Sequence, residues 1–518
     1  MVKIFIDEKP VEAEEGATIL KTAEKEGISI PHLCYHSAFP PEGSCRMCLV
    51  EIEGLPKLEL ACSTQVRDGM KVFTHSEKVV EARKGVLEFL LAEHPLDCPI
   101  CDKAGDCKLQ DYYDEYGLFE SQFRENKEKR EKKDAIGKSL LHDEERCILC
   151  RRCVRFLREV TKTQELGVFE RGVHSRVNIY DLAPIDNNYS GNLAQICPVG
   201  AITDKDFRFK TRSWFLKSGE SICPLCSRGC SITVEYHPGF YRLNVPRRVY
   251  RIKARENQEV NGFWICDLGR YGYSYLNDNR QEKIVLTNMK MRIEPTWESV
   301  RAFITEKLNS LNSTGKMSQM AVVLNTWLSN EELFLVHKIF RSDLNVEKII
   351  VVDPPQSEAD EFLLTPERSP NRRGAQEIGF DIKPASLKDL AAKADFLLMF
   401  GSYIAGPFDS PGFKDALKKT EVKILFTPHA HEMNSLFDII FPTALIAEKG
   451  GSLTNVEGKV QGFTPVFEPP EGSLSEWQIL KDLGQTLGIN SAFYKEFTTP
   501  EAVSNKMKEE IPFFREEK

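Results

Sequence analysis

The placement of cysteine constrains this chain more than any other feature of its sequence. The chain has 518 residues and 15 cysteines, and all of the cysteines lie between Cys34 and Cys266. Where thiols stay reduced, so many clustered cysteines indicate bound metal rather than disulfides. The sequence therefore predicts a metal-binding half followed by a half without metal.

Length and composition indicate several ordinary globular domains. The chain is too long for one hydrophobic core, and 41% hydrophobic with 28% charged residues is usual for globular proteins. The net charge of -8 argues against a nucleic-acid surface. No segment approaches the roughly 18 apolar residues of a membrane span, and the N-terminus is typical of a strand rather than of a targeting peptide. We expect a cytoplasmic protein that binds no nucleic acid and does not insert into the membrane.

Hydrophobic periodicity predicts a β-rich start, a helical segment, and a later layer of buried strands alternating with helices. The predicted strands are 2–6, 10–13, 232–236, 241–245, 321–325, 348–353, 396–400, 423–426 and 438–441. The predicted helices are 18–26, 79–92, 330–340 and 413–419. The charged residues 120–133 indicate a solvated helix or a linker, and residues 354–390 indicate a long irregular segment.

The cysteines and one histidine form four sets of four possible ligands. The first set is Cys34, Cys45, Cys48 and Cys62; the second set is His94, Cys98, Cys101 and Cys107; the third set is Cys147, Cys150, Cys153 and Cys197; the fourth set is Cys223, Cys226, Cys230 and Cys266. Four iron–sulfur clusters need sixteen protein ligands, and these sets contain sixteen donors. No cysteine is left over for a disulfide or for nucleophilic chemistry.

The spacing within each set predicts the kind of cluster. In the first set, a loop of close cysteines with one distant cysteine is typical of a [2Fe–2S] site, and Gly43 and Ser44 relax the backbone of that loop. In the second set, three close cysteines lack a fourth partner, which His94 is placed to supply. An imidazole in place of a thiolate removes a negative charge and raises the reduction potential.

The third set has the strongest signature, because three cysteines at two-residue intervals with a remote Cys197-Pro198 are typical of a bacterial [4Fe–4S] ferredoxin. In the fourth set, one close group with a distant Cys266 also favours a [4Fe–4S] cluster. Structural zinc is the alternative for the first and fourth sets. Neither a G-x-G-x-x-G after a strand nor a P-loop is present. Closely spaced redox centres without a donor site of their own indicate an electron relay between partners.

Whole segments of the sequence resemble the large iron–sulfur subunit of bacterial respiratory complex I, NADH:quinone oxidoreductase. The segments that carry this resemblance are 31–36, 45–48, 94–111, 146–150 and 191–201. Two further segments, 214–266 and 448–461, resemble molybdopterin oxidoreductases. The C-terminal half is shorter than in the molybdoenzymes or the larger subunits of this family. No cysteine follows Cys266 that could ligate molybdenum.

The resemblance implies a multidomain α+β and α/β fold. The implied domains are a β-grasp [2Fe–2S] ferredoxin-like domain (1–77), a helical [4Fe–4S] domain with one His and three Cys ligands (78–137), a [4Fe–4S] ferredoxin-like domain (138–212), a molybdopterin-oxidoreductase-type [4Fe–4S] domain (213–272), and a shortened α/β molybdopterin-oxidoreductase-like domain without active-site metal (273–518). No molybdopterin is expected, and the last domain is expected to be structural. The fourth cluster is expected to lie off the main electron line.

The resemblance also implies the partners. A flavin-bearing NADH-oxidising subunit would deliver electrons, and cubane-bearing and quinone-site subunits would receive them, on the inner face of the cell membrane. The chain would act as an electron-transfer subunit of an oxidoreductase, with no substrate site of its own. A relay subunit of an NAD-linked hydrogenase or formate dehydrogenase is the alternative. A catalytic [FeFe]-hydrogenase, a molybdenum-dependent formate dehydrogenase and a zinc-stapled scaffold are less favoured, because the first two lack required ligands here.

Overall fold

The computed structural model describes residues 1–117, 120–132, 134–180, 183–239, 246–287, 294–382, 394–401 and 411–515. The chain divides into two compact units, Met1–Leu216 (the first unit) and Lys217–Lys518 (the second unit). The first three ligand sets lie in the first unit. The fourth set lies in the second unit, together with the cysteine-free α/β region.

The first unit begins with a five-stranded mixed sheet. In sheet order its strands are Lys9–Ala13, Val2–Ile6, Lys71–Phe73, Leu49–Ile52 and Glu59–Leu60. The chain's first strand pairs antiparallel with the second and parallel with Lys71–Phe73. The helix Ile19–Lys25, capped by the Thr18 side chain, buries Leu20 in the core of this sheet. This arrangement confirms the predicted β-grasp fold.

Two longer helices follow, Glu77–Ala92 and Lys108–Tyr116. The fully buried Arg83 donates hydrogen bonds to the Leu49 carbonyl at 2.9 Å and to the Tyr116 hydroxyl at 3.1 Å. Both helices are therefore tied to each other and to the β-grasp sheet. Residues 120–132 form no helix, so the charged run is a linker rather than a solvated helix.

The last part of the first unit combines small sheets with short helices. Its strands are Asp134–Ala135, Leu140–His142 and Ile202–Asp204 in one sheet, and Leu166–Phe169 with Arg176–Ile179 in a hairpin. Its helices are Arg152–Arg155, which continues as the wider turn Phe156–Val160, and Asn192–Ile196. Leu140–His142 is the central strand of its sheet, which places its last residue close to the third ligand set.

The second unit begins with an antiparallel sheet of three strands, Lys217–Ile222, Ser231–His237 and Arg248–Ala254. The helix Asp267–Tyr271 follows immediately after Cys266. The predicted strand at 232–236 is confirmed. The predicted strand at 241–245 lies outside the described residues.

A six-stranded sheet forms the centre of the second unit. In sheet order its strands are Val285–Leu286, Ile439–Pro442, Val422–Thr427, Phe396–Phe400, Met320–Asn325 and Lys348–Val352. All neighbouring pairs are parallel except the one made by the edge strand Val285–Leu286. The central strands are buried throughout, which explains why they read as continuous apolar runs.

Helices pack around this sheet, and a β-hairpin lies beside them. The helices are Trp297–Ser313, Asn330–Val336, Arg372–Ile378, Pro411–Lys419, Glu476–Thr486, Ser491–Lys495 and Pro500–Glu510. The hairpin strands are Gly451–Thr454 and Val460–Phe463. The prediction of an irregular segment at 354–390 is wrong at Arg372–Ile378, which is helical and ends at Gly379 in the left-handed region. Residues 383–390 lie outside the described part of the chain.

A buried ionic network joins the helices to the hairpin. The Lys449 ammonium lies 2.7 Å from a Glu332 carboxylate oxygen and 2.6 Å from Glu476. Thr443 donates a further hydrogen bond to Glu476 at 2.8 Å. Because all three charged side chains are buried, each depends on the others for compensation.

Within the described ranges, every helix is too short or too polar to traverse a lipid bilayer.

Candidate iron–sulfur centres

The first set lies in the β-grasp domain as two pairs of buried thiols. Cys34 forms a thiol–thiol hydrogen bond with Cys45, and Cys48 forms one with Cys62. These bonds lower the pKa of Cys34 to about 5 and also lower the pKa of Cys62, while they raise the pKa of the partners Cys45 and Cys48. The Cys45 sulfur accepts hydrogen bonds from the backbone N–H groups of Leu33 and Cys34, each at 3.4 Å. One cysteine of each pair, Cys34 and Cys62, is therefore favoured as the thiolate, which is the form that binds metal.

The second set follows the helix Glu77–Ala92. Burial lowers the pKa of His94 to about 4, so its ring is neutral near pH 7 and can coordinate a metal. Its Nδ1 atom is buried and has no hydrogen-bond partner among the described residues. Cys101 and Cys107 are buried, whereas Cys98 is exposed. This imidazole nitrogen is therefore available to bind metal as the fourth ligand of the second set.

A partly buried ion pair connects the second set to the third. Arg146, which directly precedes Cys147, donates two hydrogen bonds to the Asp97 carboxylate. The distance from Nη2 to Oδ2 is 2.6 Å, and the distance from Nε to Oδ1 is 3.2 Å. The Arg146 and Asp97 charges also act on the thiol of Cys101. A Cβ atom on Gly200 would overlap the Cys101 sulfur. The absence of a side chain at Gly200 therefore leaves room for a sulfur of the second set beside the loop of the third.

The third set surrounds one small internal cavity. Its four thiols, Cys147, Cys150, Cys153 and Cys197, all line that cavity. Burial and then the neighbouring thiolates raise the pKa of Cys147 and of Cys150 to about 12. Buried thiols that are costly to ionise fit a bound cluster whose iron atoms compensate the charge of the thiolates. The geometry therefore matches the donor set of a [4Fe–4S] cluster.

Arg152 links the first set to the third. Its side chain is 7% exposed and donates to the Ile196 carbonyl at 3.2 Å and to the Tyr35 carbonyl. Ile196 precedes Cys197 of the third set, and Tyr35 follows Cys34 of the first. The thiolate of Cys34 also acts on the pKa of Cys150 across this contact. The first and third sets are therefore electrostatic neighbours with a cation beside both.

The fourth set lies between the antiparallel sheet and the helix Asp267–Tyr271. The Cys223 N–H donates to the Cys230 carbonyl at 2.9 Å, and the Cys266 sulfur accepts from the Gly269 N–H at 3.4 Å. Burial and then the charge of Cys226 raise the pKa of Cys266 to about 12. A Cβ atom on Gly269 would lie 3.1 Å from the Cys223 sulfur, so this glycine keeps space open beside the thiols.

No group of three or more His, Cys, Asp or Glu side chains in the described part of the chain converges closely enough to hold a single metal ion. Ligands of an iron–sulfur cluster need not converge in this way, because each binds a different position on the cluster.

Sequence reasoning had not singled out the charged and polar residues around the thiols. These residues are His142, Arg146, Arg152 and Arg155. Three of them are arginines within two residues of a ligand cysteine. Repeated arginine beside cysteine was the sequence signal that could have identified them. His142 has no such signal, because only the strand pairing of Leu140–His142 brings it to the cavity.

Five family profiles match consecutive parts of the chain. They are described as a 2Fe-2S iron-sulfur cluster binding domain (1–77), an NADH-ubiquinone oxidoreductase-G iron-sulfur binding region (83–122), an NADH-quinone oxidoreductase subunit 3 ferredoxin-like domain (137–203), a molybdopterin oxidoreductase Fe4S4 domain (216–278) and molybdopterin oxidoreductase (367–486). Domains for both [2Fe–2S] and [4Fe–4S] clusters are thus present.

Relatives from other organisms match most of the chain. The NADH-ubiquinone oxidoreductase 75 kDa subunit of Reclinomonas americana is 39% identical over 67% of this chain and 49% of its own length. NADH-quinone oxidoreductase subunit 3 of Thermus thermophilus is 34% identical over 77% of this chain and 51% of its own length. A chain of a solved NAD+-reducing [NiFe]-hydrogenase is 34% identical, with a TM-score of 0.38 over 41% of this chain and 91% of its own.

The curated relatives are longer than this protein, which spans about half of their length. Their identity of 34–39% to this chain nevertheless extends over two thirds or more of it. The matched profiles follow the order in which the four ligand sets occur. Over that shared part, the chain belongs to the family of the large iron–sulfur subunit of NADH-quinone oxidoreductase, the 75 kDa subunit of the ubiquinone-reducing enzymes.

Proposed function

We propose that this protein is an electron-relay subunit of respiratory complex I. It carries electrons from a flavin-bearing NADH-oxidising subunit toward cubane-bearing and quinone-site subunits. The assembly lies on the cytoplasmic face of the membrane, and this chain itself does not enter the lipid. The family to which the matched part belongs supports the proposal.

The observation that carries the proposal is the contiguity of the first three ligand sets. Arg152 contacts residues next to the first and third sets. Arg146 and Gly200 bring the third set beside the second. Electron tunnelling weakens steeply with distance, so redox centres in direct succession are what a relay needs. The order of contact is first set, third set, second set.

The cluster assignments are part of the proposal. The first set holds one [2Fe–2S] cluster, and the second, third and fourth sets each hold one [4Fe–4S] cluster. In the second set, His94 and three cysteines are the ligands. The α/β region of the second unit is structural and holds no molybdopterin, because no cysteine follows Cys266 to ligate molybdenum.

Bound clusters would supply reversible one-electron uptake and release. The chain's own residues hold the thiolates in place, exclude water and adjust the local charge. The backbone N–H groups of Leu33, Cys34 and Gly269 donate hydrogen bonds to ligand sulfurs, those of Leu33 and Cys34 to the sulfur of Cys45 and that of Gly269 to the sulfur of Cys266. The arginines beside the first three sets place positive charge where negative charge increases on reduction.

Iron and acid-labile sulfide, measured on anaerobically prepared protein, test the assignment. We expect about fourteen iron atoms per chain, from one binuclear and three cubane clusters. EPR spectra recorded during a reductive titration should resolve both cluster types. A colourless protein that contains zinc in place of iron would refute the relay.

The partners are tested by affinity purification of the tagged chain from its native membrane extract. Complex I subunits, including the flavoprotein, should co-purify, and NADH:quinone turnover should follow them. Recovery of hydrogenase or formate dehydrogenase subunits instead would leave the electron-relay function standing but would assign the chain to a different complex. That outcome would refute the proposed partners only.

A further inference from the structure

The cavity of the third set contains a polar side chain that the ligand assignment does not use. His142 ends the strand Leu140–His142 and pairs with Ile202 across the sheet. It is 2% exposed and lines the same cavity as the four cysteines. Its Nε2 atom is buried and makes no hydrogen bond within the described ranges. A buried ring nitrogen without a partner is destabilising, so Nε2 requires a hydrogen-bond partner within this cavity.

The remaining walls of the cavity offer His142 nothing to bond. Apart from the four cysteines, the other lining side chains are Ile148, Arg151, Val177, Val199, Ala201 and Ile202. Five of these are apolar. The sixth, Arg151, donates to Glu42 at 3.0 Å and offers no acceptor. The partner of Nε2 is therefore whatever fills the cavity or the sulfurs that surround it.

His142 is not needed as a ligand. The third set already supplies four thiols, which complete a [4Fe–4S] cluster. A neutral imidazole ring carries a single N–H, which the His142 ring can place on Nε2. Cluster sulfides and thiolate sulfurs are acceptors, and hydrogen bonds to them are among the factors that set the reduction potential.

We propose that His142 donates a hydrogen bond from Nε2 to a sulfur of the cluster held by the third set and thereby raises its reduction potential. This inference rests on the proposed function, because it needs a cluster in that cavity. His142 is a positioning and tuning residue and does not bind iron. The hydrogen bond stabilises the reduced cluster more than the oxidised one, since reduction adds negative charge to the sulfurs.

The test is an EPR-monitored redox titration of the third centre in the assembled protein. His142→Leu removes the donor, and His142→Gln keeps an N–H donor. In the Leu variant we expect the equilibrium constant for reduction of the third centre to fall about tenfold, which lowers its potential by about 59 mV for one electron. The Gln variant should recover part of that shift. The exposed His174 supplies the matched control, because His174→Leu should leave the potential unchanged. Equal potentials in the wild type and an intact Leu variant would overturn the inference.

A second measurement does not depend on how the Leu variant folds. Pulsed EPR of the wild type labelled with 15N-histidine should show a weak nitrogen coupling and an exchangeable proton at the third centre. The nitrogen coupling should be lost in His142→Gln, whose side-chain amide can keep the exchangeable proton. No such coupling, or a strong coupling typical of direct ligation, would contradict the inference. Absence of any cubane signal that depends on Cys150 would instead refute the proposed function, so the two failures are distinguishable.

Discussion

Three buried arginines of the first unit lie next to ligand cysteines. Arg146, Arg152 and Arg155 are nearly inaccessible to solvent, and each lies within two residues of a ligand of the third set. Arg155 donates to the Cys34 carbonyl at 2.6 Å, so it also reaches the first set. A buried cation is costly unless negative charge compensates it. Asp97 compensates Arg146, and Glu42 lies 3.9 Å from Arg155. The negative charges beside Arg152 are the thiolates of the first and third sets.

Replacing Arg152 by leucine should lower the reduction potentials of the first and third centres together. The guanidinium favours the more negative, reduced state of both, because it lies beside Cys34 and Cys150. We expect a shift of about tenfold in each reduction equilibrium, or about 59 mV, measured by EPR redox titration. Arg152→Lys should retain much of the potential, and Arg158→Leu, at an exposed arginine, should have no effect. A shift at only one centre would show that Arg152 does not serve both.

At the scale of elements, the second unit is held together by polar contacts between segments that are distant in sequence. The helix Asn330–Val336 supplies Glu332, the turn before the hairpin supplies Lys449, and the helix Glu476–Thr486 supplies Glu476. Two carboxylates share one ammonium, so the network carries an excess negative charge when all groups ionise. Burial, together with the charge of Glu332, raises the pKa of Glu476 to about 7 despite Lys449.

The raised pKa of Glu476 predicts that the second unit is more stable against unfolding at pH 5 than at pH 8. The ordinary pKa of a glutamate is 4.5, and the pKa of Glu476 in the folded chain is about 7. Between these two pH values the folded chain binds a proton that the unfolded chain has released. The free energy of unfolding therefore falls as the pH rises through this window. Glu476→Gln should flatten that dependence, and Glu347→Gln, at an exposed glutamate, should not. Urea unfolding at pH 5 and pH 8, followed by circular dichroism, measures both, and an unchanged slope in Glu476→Gln would contradict the prediction.

For the whole molecule, the four ligand sets divide unequally between the two units. The first three sets lie in Met1–Leu216, and the fourth lies in Lys217–Lys518. The hydrophobic core around the six-stranded sheet contains no cysteine among its described members. Cluster binding and the folding of that sheet therefore involve separate groups of residues. This separation agrees with a structural role for the sheet.

Substitutions in different sets should consequently have different effects on electron transfer. Cys226→Ala should remove the fourth cluster with little loss of NADH:quinone turnover in the assembled complex. Cys150→Ala should abolish turnover, because the third set lies between the first and the second. Turnover, iron content and subunit composition are measured on the same preparations. A large loss of turnover in an intact Cys226→Ala complex would show that the fourth cluster carries current.

The sequence by itself predicted the donor atoms and several of the strands and helices, but not the long helices Trp297–Ser313, Glu476–Thr486 and Pro500–Glu510. Cysteine spacing predicted the four sets, and hydrophobic periodicity located five strands of the six-stranded sheet to within one or two residues, because both are local properties of the chain. The short edge strand Val285–Leu286 was not predicted. The helix Arg372–Ile378 escaped prediction, since its short amphipathic stretch is surrounded by proline and charge.

Only the tertiary structure decided which sets are neighbours and what surrounds them. Arg152 and Tyr35 are separated by 117 residues in sequence, and Lys449 and Glu332 by 117. His142 faces the thiols because a strand pairs with Ile202, 60 positions later. Contacts over such separations depend on how whole domains pack, and no local pattern of residue types encodes them.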